Sequence, residues 1–203
     1  LVRRNVTDQP PTRDLARNFI SLIEVLNDKP HDDEMKIIPA VFRERGWIAP
    51  DKLFREKLEG KLYEENAEAC RFVLCKIEES RQTREKLTDL WKRDSRGEFI
   101  WTVEHIFPQG PNIPEEWVTM ISGGDLAKAR EARELHVHKL GNLTITGYNG
   151  KLGNKSFLEK RDRRDSAGRL VGYKNGLHLN GNLCDMDAWH VQDIQARTTE
   201  LAS

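Results

Sequence analysis

Two short runs carry the texture of strands in a chain otherwise patterned for helix: Phe99-Ile-Trp-Thr-Val103 and Leu143-Thr-Ile-Thr146. Aromatic and β-branched side chains suit a pleated, half-buried surface. A long insertion separates the runs, broken by Gly110-Pro-Asn-Ile-Pro114, and residues 151–163 after the second run read as helix. The order from residue 99 is strand, insertion, strand, helix. Two strands this short make a minimal sheet, so the predicted fold is mainly α with a small ββα core.

Helical spacing marks the remainder. Leu15, Phe19, Ile20, Ile23 and Leu26 fall on one stripe, with Thr12 as a candidate N-cap. Pro50-Asp51 opens a helix holding Leu53, Phe54 and Leu58, and Gly60 closes it. Leu62, Ala69, Cys70, Val73, Leu74 and Ile77 predict a third, and residues 83–92 a fourth. Short helices are expected over 115–121 and 125–135, around Gly123-Gly124. Asp187 is placed to cap a last helix with Trp189, Ile194 and Leu201, and residues 27–33 read as a polar loop. No internal repeat or low-complexity tract is visible. The expected organisation is one domain: a helical subdomain over 1–95, a ββα finger with its insertion over 96–175, and a closing loop and helix over 176–203.

A chain of 203 residues can bury a real core as one domain. Lys plus Arg equals Asp plus Glu at 33 each, so net charge does not point to a polyanionic partner. The local balance does: residues 151–174 hold eight basic side chains against three acidic ones. Cys70, Cys75 and Cys184 lack paired C-x2-C spacing and read as reduced thiols of an intracellular, cytoplasmic protein. No apolar stretch approaches the ~20 residues of a membrane span. There is no signal peptide, and a start at Leu1 suggests a piece of something longer.

The first strand-like run ends in Glu104-His105, just before Pro108. Phosphodiester hydrolysis needs an activated water and a stabiliser for developing charge. An imidazole with an ordinary pKa near ~6.5 can accept the proton. Glu104 with an asparagine oxygen offers hard ligands to Mg²⁺ or Mn²⁺, which would neutralise the leaving oxygen. Adjacent strand residues point to opposite sides, so the strand must end or bend at His105. On a continuous helix Asn149, Gly153, Ser156 and Lys160 share one face, whereas Asn154 lies ~140° from Asn149. Asn149 is therefore the preferred metal ligand and Asn154 the alternative, more suited to a structural hydrogen bond. Asn149-Gly150 is also a hairpin signal, but the charged run after it suits a helix better. Lys160 with Arg161 is expected to grip a phosphate, with Lys155 and Arg164 of the same basic run beside them. His138 reads as a half-buried hydrogen-bonding histidine, and His136-x-His138 lacks a third metal ligand nearby. Trp101, Trp117 and Trp189 read as core anchors.

Together Glu104-His-Ile-x-Pro108, His138-x-Leu-Gly-Asn142-Leu-Thr144 and Tyr148-Asn-x-x-Leu-x-Asn-x-x-Phe-x-x-Lys160 resemble the C-terminal nuclease domain of GmrSD-type, modification-dependent restriction enzymes, within the HNH (His-Me finger) superfamily. Leu1-Val-Arg-Arg4 with its following helix resembles that family's opening, and Trp189-x4-Ile194-x2-Arg197 its closing helix. The likeness covers most of the chain and is densest over 101–161. The resemblance implies a ββα-metal core with Glu104 as metal ligand, His105 as general base and Asn142 holding the histidine loop. It implies a second ligand at Asn149, or at Asn154 since the family pattern contains both. It also implies DNA cleavage or nicking in anti-phage restriction, gated by an N-terminal ParB-like NTPase domain. The rival readings are a catalytically silent DNA- or partner-binding module, an RNase of the same superfamily, and a purely structural scaffold.

Overall fold

The computed structural model describes residues 2–8, 12–27, 33–85 and 87–203, without the side chains of Val2, Thr12, Asn149 and Lys151. The chain divides into two compact units, 1–57 and 58–203. The first holds helices α1 (Val2–Thr7), α2 (Leu15–Asn27), α3 (Glu34–Glu44) and most of α4 (Asp51–Glu59). Helix α2 forms where its apolar spacing predicts, yet Phe19, Ile20 and Ile23 are exposed and Leu22 is buried instead. Helix α3 has no counterpart in the sequence reading, because Pro39 lies inside it and proline ordinarily interrupts a helix. Thr12 opens a short 3₁₀ turn; whether it caps through its side chain, and the polar loop over 28–32, lie outside the described residues.

The second unit opens with α5 (Leu62–Glu65) and α6 (Ala67–Arg81). These replace the single helix expected there. Asn66 is extended, and its side chain accepts from Ala69 N at 2.9 Å, so it starts a new helix rather than continuing the old one. The helix expected over 83–92 does not form among the described residues. Gln82 leaves α6 extended, its amide oxygen accepts from Thr88 N, and Asp89 folds back onto Trp91 N. Such side-chain bonds compete with the helical ladder.

Strands β1 (Thr102–His105) and β2 (Leu143–Thr146) pair antiparallel, with Glu104 opposite Thr144 and His105 opposite Leu143. The insertion between them carries α7 (Glu115–Ser122) and α8 (Leu126–His136), the latter capped by Asp125. After β2 the expected single helix is two: α9 (Asn149–Leu152) and α10 (Phe157–Arg161). Gly153 has a positive φ of 42°, and Ser156 starts α10 afresh through a capping box with Glu159. The short α11 (Gly181–Cys184) and the closing α12 (Val191–Leu201) follow. Asp187 does not cap α12. His190 and Asp193 do, while Asp187 pairs with Arg161.

The core gathers Ile106, Phe107, Trp117, Phe157, Tyr173, Trp189 and Ile194. Trp117 and Trp189 are the anchors expected, whereas Trp101 is half-buried. Helix α12 closes on the turn before β2. A Cβ on Gly141 would stand 2.1 Å from Ile194 O, and Gly141 N donates to Thr198 Oγ1 at 3.0 Å. The buried Arg197 guanidinium donates to the carbonyls of Gly141, Leu143 and Leu179. No helix among the described residues is long and apolar enough to cross a membrane.

The fold also contains a duplication that composition concealed. Residues 92–100 (KRDSRGEFI) and 163–171 (RRDSAGRLV) form the same hairpin. In each, the aspartate N–H donates across the turn, at 2.8 Å to Glu98 O and 2.9 Å to Arg169 O. One carboxylate oxygen of Asp94 accepts from the N–H groups of Arg96 and Glu98, and one of Asp165 from those of Ala167 and Arg169. Gly97 and Gly168 take φ of 83° and 77°, the left-handed step that closes such a turn. Arg93 then donates to Gly97 O and Arg164 to Gly168 O. The absence of a repeat expected from the sequence is thus corrected. One copy leads into β1 and the other leaves α10, so they bracket the ββα segment.

Candidate active site

Pleating sends Glu104 and His105 to opposite faces of β1. Glu104 turns towards α10, where Lys160 Nζ meets its Oε1 at 2.7 Å. The same ammonium donates to His105 O at 2.7 Å and Ile106 O at 3.2 Å. Three protons therefore meet three acceptors, and Lys160 is 0% exposed. Burial pushes the Glu104 carboxyl up and the Lys160 ammonium down, and the charge of each resists the shift of the other. The Tyr173 hydroxyl is buried and has no hydrogen-bond partner among the described residues. Burial first, then the Glu104 charge, raises the pKa of its phenol.

His105 turns the other way. Its Nε2 is 3.2 Å from His138 Nδ1. Tyr63, from α5, stands edge-on to the His105 ring at 4.7 Å and stacks on His138 at 5.5 Å. Burial pushes the His105 imidazole down to about 3, helped by the charges of His138 and Lys160. Burial also lowers His138. At neutral pH His105 is therefore uncharged, with one ring nitrogen engaged by His138.

Asn142 fixes the segment that follows. Its Oδ1 accepts from Phe107 N at 2.8 Å and Trp189 Nε1 at 3.2 Å, while its Nδ2 donates to Phe107 O and Val137 O at 3.0 Å. Ile106 N adds a bond to Asn142 O. All four side-chain bonds of a fully buried amide are thus made.

Glu104 pairs with Lys160 on one face of β1 while His105 turns to the other. The acid and the imidazole are thus not brought to one side as expected, and Lys160 serves as an internal tie. A phosphate cannot reach it without breaking the Glu104 pair, which corrects the expected phosphate grip. Arg161 is likewise spent, on Asp162, Asp187 and Met186 O. Lys155 and Arg164 remain exposed. The helix-face grouping of Asn149, Gly153, Ser156 and Lys160 does not survive the break between α9 and α10. The Asn154 amide lies against Gly110. Helix α9, which starts at Asn149, packs on β1, although the Asn149 side chain is outside the described residues. Among the described residues no three His, Cys, Asp or Glu side chains group to hold a metal. A carboxylate is a hard oxygen donor of the kind that Mg²⁺ or Mn²⁺ takes, but Glu104 is buried and its Oε1 is paired with Lys160. Sequence reasoning missed Tyr63, which belongs to no motif and reaches His105 only through the fold.

The family model described as GmrSD restriction endonucleases, C-terminal domain, matches residues 48–203. The chain belongs to this family. Comparison with curated proteins and with solved structures gave no match. The GmrSD C-terminal match takes in the whole second unit, and with it Tyr63, His138 and both hairpins as well as the ββα segment.

Proposed function

We propose that this GmrSD C-terminal domain is a DNA endonuclease of the HNH type, the cutting arm of an anti-phage restriction system gated by an N-terminal ParB-like NTPase domain. The carrying observation is the setting of His105: buried, uncharged, seated at the end of β1 and held from behind by His138 and Tyr63. With Nε2 engaged, Nδ1 is the nitrogen left to take a proton from water. An approaching phosphodiester adds negative charge, which raises the depressed imidazole and strengthens it as a base. Asn142 keeps the following loop from drifting, and Lys160 pins the backbone carbonyls of His105 and Ile106. Glu104, with Asn149 (or Asn154), would hold Mg²⁺ or Mn²⁺. When bound, the cation supplies charge neutralisation at the leaving oxygen.

A second reading has one observation in its favour. Glu104 is already balanced by Lys160, which suits a silent binding module that needs no cation. Plasmid nicking with Mg²⁺, Mn²⁺ or EDTA decides between them. The expected result is cation-dependent nicking that His105→Ala lowers by about a hundredfold or more. No nicking with either cation, together with intact phage restriction by the His105→Ala whole protein, ends the enzyme reading. Calorimetric Mn²⁺ titration of wild type against Glu104→Ala tests the carboxylate directly.

A further inference from the structure

We propose that the two duplicated hairpins, 92–100 and 163–171, are a matched pair of phosphate clamps that seat duplex DNA across the ββα segment. The proposal rests on the nuclease reading for its substrate, but its geometry is independent of the catalytic residues. Both hairpins approach one turn. A Cβ on Gly147 would lie 3.8 Å from Ile100 at the foot of the first hairpin, and Tyr148 is close enough to Arg169 of the second to act on its charge. Gly147 and Tyr148 immediately precede Asn149, so the hairpins flank the opening of α9.

Their arginines carry the inference. Asp and Gly alone close the turn, yet each copy adds a guanidinium on the second carboxylate oxygen of the aspartate. In the first it is Arg96, two residues after Asp94, with Nε at 3.2 Å. In the second it is Arg169, four residues after Asp165, with Nε at 2.8 Å. Two different sequence positions thus deliver the same group to the same place. Turn closure does not demand that, and a shared ligand would. Arg96 and Arg169 keep 81% and 74% of their side chains exposed. Arg93 and Arg164, tied to the turn glycines, are exposed as well. A guanidinium fixed at one edge presents its remaining donors in a set direction, which suits the oxygens of a phosphate. One oxygen of each aspartate is committed to backbone N–H groups, and the other holds the arginine in place as an ion pair.

The test is binding of a fluorescent duplex by this chain in EDTA, where nothing is cut, across a salt series. Arg93→Gln/Arg96→Gln and Arg164→Gln/Arg169→Gln are each expected to weaken binding about tenfold. Each should also make the dependence of log K on log salt shallower by roughly two, near 0.9 for each lost phosphate contact. Arg93→Lys/Arg96→Lys keeps the charge and should keep the slope. Wild-type affinity and slope in either glutamine pair overturn the proposal, as does a wild-type chain that binds no duplex. A lysine variant whose slope falls as far as that of the glutamine pair also overturns it, since lost charge is then not the cause. A chain that binds with the expected slope but never nicks removes the nuclease reading and leaves the clamps standing. One that nicks while its hairpin variants bind normally removes the clamps alone.

Discussion

An imidazole that takes a proton from water must keep one nitrogen bare and hold the other in a fixed tautomer. Among the described residues no carboxylate does this for His105; its partner is a second imidazole, His138, stacked under Tyr63. His138→Ala should therefore lower kcat for nicking by roughly tenfold or more with little change in KM. His138→Asn, which keeps a hydrogen-bonding group there, should recover part of the loss. Tyr63→Phe should pass as wild type because the ring makes the contact, while Tyr63→Ala should not. Unchanged kcat in His138→Ala would show the pair to be packing alone. On the other face of β1 the test is stability. Lys160→Met strands a buried carboxylate and should cost about 3–5 kcal/mol in urea unfolding, whereas the Glu104→Gln/Lys160→Met double variant should regain most of it. The Glu-His adjacency was legible in the sequence because both residues sit in one short motif. The partners Tyr63 and Lys160 were not legible in their actual roles. A contact between α5 and β1 leaves no local pattern, and a lysine in a basic run looks the same whether it faces solvent or fills the core.

At the scale of elements, strand β2 and helices α7 and α8 were readable from side-chain texture and punctuation, whereas the strand expected over 99–103 lies at Thr102–His105. The failures share a cause. Asn66, Gln82, Asp89 and Ser156 each offer the backbone a side-chain bond in place of the next helical turn, and periodicity cannot see that competition. The capping box explains why residues 149–161 are two helices, and it predicts that Ser156→Ala costs about 1 kcal/mol at α10. The duplicated hairpins share Arg-Asp-Ser-x-Gly at 93–97 and 164–168, an order that counts of charge do not register. Where elements touch, the narrowest tolerance is at Gly141. Gly141→Ala would drive a methyl group into α12 backbone and should lower stability by about 3 kcal/mol. Thermal unfolding measures it, and a wild-type Tm would mean that α12 can shift freely.

For the molecule as a whole, the two compact units follow different logic. Unit 58–203 is organised around buried polar residues such as Asn142, Lys160 and Arg197 that are tied to partners, whereas the first unit leaves apolar side chains of α2 in the open. The family match begins at residue 48 and so takes in all of the former and little of the latter. Arg197 gives this a practical edge. A cation from the last helix, far along the chain from either strand, supplies donors to the carbonyls on both sides of Asn142. The ββα segment therefore cannot be excised as a portable cassette. A truncation ending at residue 190 should lose its cooperative unfolding transition together with any nicking, although Glu104, His105, Asn142 and Asn149 are all still present. Grafting this domain onto another protein would mean carrying the final helix along, as a keystone travels with its arch.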